Sequence, residues 1–121
     1  MNIRQIFLSS IIFLCLDFLY LTTFNKFFNK LVYNIQGSFI KFNLMGAILC
    51  YILLIYGLNY FIISPKKTVM DAFILGVVIY GVYETTNYAI FDKWSLKAVI
   101  LDTIWGGSLF ALTTMILQRI R

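Results

Sequence analysis

GVVIYGVYETTNYAIFDKW, Gly76–Trp94, is the stretch on which the fold turns. Its apolar run is long enough to belong to a membrane-crossing helix, yet it holds a carboxylate, Glu84, and an amide, Asn87. The composition around it decides for lipid. The chain has 121 residues, enough for a single domain. It is 61% hydrophobic and 12% charged, against about 45–50% and about 25% for soluble domains. Its mean hydropathy is +0.87. A soluble fold of this size could not hide so much apolar surface, and lipid as solvent removes the need to hide it.

Working outward, Thr68 and Asp71 form a T-x-x-D capping pattern that opens a span over 69–90. Asp71 then has a local task, at the positive end of the helix dipole. On this helix Ala72, Gly76, Tyr80, Tyr83, Glu84 and Asn87 recur at steps of three and four and share a face. The two small residues permit close approach of another helix. Phe91–Trp94 is a short connection, with Trp94 suited to the interface belt. Ser95 is placed to cap a last span over 96–117, where Asp102, Trp105, Gly106 and Leu109 share a face and Gly107 and Ala111 form a small-residue pair.

Upstream of the Ser64–Lys67 turn, residues 42–63 form a span without charge. It reads as scaffold, with Gly46 and Cys50 offering a small contact face and Tyr60 at a headgroup boundary. Residues 25–40 differ. Phe27, Phe28, Leu31, Val32, Ile35 and Phe39 alternate at helical spacing with Asn25, Lys26, Asn29, Lys30 and Asn34, the pattern of an amphipathic helix lying in the interface. Gly37 and Ser38 end it. The first span covers 6–24; Asp17 interrupts its apolar core and no small-x-small cleavage site follows, so it reads as a retained helix. The expectation is an all-α integral membrane protein with four transmembrane helices in one domain and an interfacial helix after the first.

The net charge of +5 does not point to nucleic acid. The ten basic residues sit at the ends of apolar runs, as anchors and headgroup contacts do, and form no patch. Counted by side, Arg4, Lys66, Lys67, Arg119 and Arg121 face Lys26, Lys30, Lys41, Lys93 and Lys97. Both termini share a side, and the smaller weight of long-loop lysines tips them towards the cytoplasm. Cys15 and Cys50 lie in apolar runs and read as small buried hydrophobes. There is no histidine, which excludes Ser-His-acid triads and removes the usual transition-metal ligand. No Gly-rich phosphate loop is present.

The acids carry the functional reading. Asp17 lies seven residues before the end of the first span, Glu84 six before the end of the third, and Asp102 seven after Ser95. At about 1.5 Å per residue all three reach roughly 9–11 Å below the face opposite the termini. A charge at such a depth costs about 2.5–3.5 kcal/mol, and no lysine or arginine lies in a span's interior to offset it. Protonation, shared hydrogen bonds with Tyr20, Tyr80, Tyr83 and Asn87, a bound cation, or Lys26, Lys30 or Lys97 reaching down would each answer that cost. As an all-oxygen donor set the group suits a hard cation such as Mg or Ca, with no spacing specific to a metal and no other cofactor indicated. Three roles follow: binding or translocation of a proton, a cation or a cationic small molecule, with cation–π help from Trp105; chemistry on a lipid headgroup, for which no nucleophile is evident; or a polar cluster that only joins helices. The partner common to all is the bilayer, and a narrow bundle leaves room for a homo-oligomer.

The runs DFLYL at Asp17–Leu21, GVVIYGVYETTNYA at Gly76–Ala89, Trp94, and DTIWG at Asp102–Gly106 resemble a family of small membrane proteins, domain of unknown function 2177. Its pattern is an aspartate among aromatics in the first helix, Y-x-x-Y-D-x-T-N-x-A in the third, a tryptophan, and D-x-x-W-G in the fourth. Glu84 stands where the family usually has Asp, and Phe18-Leu19-Tyr20 where Trp is common. The resemblance spans the chain, implies the same helical fold and singled-out residues, and leaves the activity open. The candidate ligand-binding or ion-binding set is Asp17, Tyr20, Tyr80, Tyr83, Glu84, Asn87, Asp102 and Trp105, with no catalytic group assigned.

Overall fold

The computed structural model describes residues 1–41 and 43–120; Phe42, the expected first residue of the second span, and the basic Arg121 lie outside the described residues. The described chain is helical throughout: α1 (Ile3–Thr23), α2 (Asn25–Gln36), α3 (Leu44–Leu58) continued by a π turn (Asn59–Ile63), α4 (Val69–Ile90) and α5 (Leu96–Ile120). Four helices, α1, α3 with its π turn, α4 and α5, are long and apolar enough to cross a membrane.

The helix ends follow from short polar side chains. The Asn2 carboxamide oxygen accepts from Arg4 N at 2.8 Å, and Asn43 accepts from Gly46 N at 3.1 Å. Asp71 N donates to Thr68 Oγ1 at 3.0 Å while Thr68 N donates to Asp71 Oδ2 at 3.1 Å, so the capping pattern closes in both directions. Ala98 N donates to Ser95 Oγ at 3.3 Å. At Phe24 the backbone leaves helical geometry, with φ −105° and ψ 14°, and α2 departs as a separate amphipathic helix. Gly37 ends α2 in the left-handed region, φ 78°, with its N–H on the Tyr33 carbonyl.

The π turn arises where α3 carries a polar group into the core. Asn59 is 2% exposed. Its amide donates to the Ile55 carbonyl at 2.8 Å and across to Ser9 Oγ of α1 at 3.0 Å. Ser64 N closes the wider turn on the Asn59 carbonyl at 2.8 Å.

The helices touch in the order α4, α5, α1, α3. Gly76 and Gly106 let α4 and α5 meet backbone to backbone: a Cβ on Gly76 would collide with the Gly106 carbonyl. Gly107 takes up Phe73 and Val77. Phe13 of α1 meets Phe110 of α5 edge-on at 5.6 Å, and Leu58, Leu109 and Leu117 complete the buried core.

Two expectations fail. Cys15 and Cys50 are exposed on the outer surface. The Gly46–Cys50 face of α3 meets no neighbouring helix; a Cβ on Gly46 would touch only its own cap, Asn43. The reason is common to both. In lipid an apolar side chain gains little by turning inward, so an apolar run does not say which face packs.

Candidate functional site

The acids of α1, α4 and α5 are buried: Asp17 is 6% exposed, Glu84 1% and Asp102 9%. Each finds neutral donors. Trp105 of α5 donates its indole N–H to Asp17 Oδ1 at 3.0 Å, and the Tyr51 hydroxyl of α3 donates to Asp17 Oδ2. Tyr20 of α1 donates to Asp102 Oδ1 at 3.1 Å, and Trp94 of the α4–α5 connection donates its indole N–H to Glu84 Oε1 at 2.9 Å. Glu84 and Asp102 are neighbours close enough for their carboxyl groups to influence one another. Two carboxylates have only acceptors, so a direct bond between them would need a shared proton.

The three acids do not close on one point. Among the described residues no three acidic or cysteine side chains are grouped as the ligands of one metal ion would be. Instead the structure divides them into a pair, Glu84 with Asp102, and a single acid, Asp17. Beside them the rings of Tyr20 and Trp105 lie parallel with centroids 4.7 Å apart. Each member serves the acid on the neighbouring helix, so the stack ties the two acidic groups together. Which spans carry the acids was readable from the chain; rotation about each helix axis was not.

Other candidates fall into place unevenly. Tyr80 lays its ring over Gly106 and faces Phe110 edge-on at 6.4 Å. Tyr83 is 58% exposed and turns outward, with Asn87 partly buried beside it. The shared face expected for Tyr83 and Glu84 fails because consecutive helical residues point about 100° apart. One neighbouring helix cannot cover both, and α5 covers Glu84. Lys97 is also spoken for: its ammonium sits over the Phe27 ring of α2 at 5.3 Å.

Two partners went unread. Tyr51 sits in the interior of a span assigned only a scaffold role, yet it holds Asp17. The signal was its depth, since a phenol that far from either interface needs an acceptor. Trp94, assigned to the interface belt, sends its indole N–H, a donor with no acceptor capacity, to Glu84.

Residues 2–118 match the family model described as "Predicted membrane protein (DUF2177)". The chain belongs to the DUF2177 family. No curated protein and no solved structure matches it. In this DUF2177 chain the motifs behind the resemblance are adjacent in space. The first-helix aspartate is held by the tryptophan of the D-x-x-W-G run, and the acid of the third-helix run faces the aspartate of the fourth. The chain is a multi-pass membrane protein by family and by its four candidate spans.

Proposed function

We propose that this protein binds a proton at the Glu84–Asp102 pair and passes it within the membrane, with Asp17 as a second acceptor behind the Tyr20–Trp105 stack. The observation that carries the reading is two neighbouring buried carboxyls, Glu84 and Asp102, each held by a neutral phenol or indole donor. Intramembrane acids without basic partners are rare and expensive, and proton relays are among the known uses that retain them. Tyr20 can both accept and donate a hydrogen bond, which suits a relay; Trp94 and Trp105 can only donate, which suits holding an acid in place. The terminal arginines and lysines support cytoplasmic termini, with the acid pair nearer the opposite face.

The test is proton flux into proteoliposomes carrying an internal pH dye, with the membrane potential clamped. Wild-type protein should raise flux at least about tenfold over empty vesicles, the equivalent of about 1.4 kcal/mol. Glu84→Gln, which keeps the shape and removes the exchangeable proton, should return it to background. Infrared spectra should show a protonated-carboxyl band that shrinks as pH rises and is reduced in Glu84→Gln. Unchanged flux in a folded Glu84→Gln variant would sink the reading.

A further inference from the structure

The α1–α3 contact leaves an outward-facing furrow in three connected parts. A nearly apolar groove of about 550 Å³ runs between Leu14 of α1 and Ala47, Tyr51 and Asn59 of α3. A second hollow of about 550 Å³ continues from Leu14 and Tyr51 to Thr22 and Asn25 at the α1–α2 junction. Asn25 also lines a third, polar hollow of about 570 Å³ on α2, whose rim carries Lys26, Lys30 and Asn34. The long part is apolar and open to the bilayer's hydrocarbon. The short end is amide-rich and carries two lysines on the amphipathic helix α2.

We infer that this furrow holds one anionic phospholipid, its phosphate on the Lys26–Lys30 face of α2 and an acyl chain along the α1–α3 groove past Tyr51. Charge complementarity selects the headgroup. Both lysines are exposed, and they lie one turn apart on the same polar face of an amphipathic helix. Length selects a lipid over a soluble anion. From Leu44 to Asn59 the groove follows about 22 Å of helix, a span that only a long hydrocarbon chain fills. The inference is independent of the proton reading, because neither lysine touches the acids.

Full-length protein reconstituted in equimolar phosphatidylglycerol and phosphatidylcholine, then released from detergent micelles in a native mass spectrometer, tests it. One phosphatidylglycerol per chain should survive collisional stripping in preference to phosphatidylcholine. The variant Lys26→Gln/Lys30→Gln, altered only at exposed positions, should lose the preference by roughly fivefold for each lysine. Ala47→Trp, which fills the groove and leaves the lysines alone, should lose the adduct while circular dichroism stays helical. Equal retention of the two lipids by wild type, or a preference that survives in the lysine variant, overturns the headgroup assignment. A folded Ala47→Trp that keeps its lipid overturns the chain assignment.

Discussion

The seam between α4 and α5 and the seam between α1 and α3 are built on opposite principles. In the first, Gly76 and Gly106 bring two backbones into contact, and Ala72, Gly107 and Phe73 close around them. In the second, Phe13 shares the core with Ile55 and Leu58, the outer face is left as a groove, and two hydrogen bonds pin the helices: Tyr51 to Asp17, and Asn59 to Ser9. Lipid offers little hydrophobic drive for helices to associate, so either close packing or polar contacts must hold them. This protein closes one seam by small-residue packing and adds polar pins to the packing of the other. The packed seam is closed where its glycines meet, and the pinned seam leaves a furrow beside a buried acid.

Three substitutions would break or sharpen that contrast, all read by thermal or detergent-induced unfolding of purified protein. Gly76→Leu should have the largest effect, a loss of about 3 kcal/mol, because the added atoms meet the Gly106 backbone, which cannot yield cheaply. Tyr51→Phe should cost about 1 kcal/mol, since it removes one pin and leaves Asp17 with the Trp105 donor alone. Were it to cost as much as Gly76→Leu, the idea of a loosely pinned seam would have to be given up. Gly46→Leu should change stability by less than about 0.5 kcal/mol, because that face of α3 packs on nothing. A large loss there would mean that a second copy covers the face.

The same contrast explains what could be read from the chain. Spans, caps and acid depths are properties along a helix, and Thr68, Asp71, Ser95, Asp17, Glu84 and Asp102 announced them through residue type and spacing. The close approach at Gly76 was equally visible, since a small residue one turn from Ala72 and Tyr80 leaves few other uses. Rotation about the axis was poorly visible. Soluble helices reveal it through an apolar stripe, but here both faces of every span are apolar. Tyr83 and Glu84 therefore could not be sorted, nor could the unused Gly46–Cys50 face be told from a packed one. The π turn at Asn59 was hidden for a related reason: it depends on Ser9, fifty positions earlier, offering an acceptor at the right height.

One pile of rings has a mechanical meaning. Phe28 of α2 leans on Tyr20 at 6.1 Å, and Tyr20 lies flat on Trp105, whose indole grips Asp17. A helix suited to float among headgroups is thus coupled by rigid discs to a carboxylate sunk beneath it. Any shift of α2 against α1 therefore bears first on Tyr20, and through its ring on Trp105 and the carboxylate it holds.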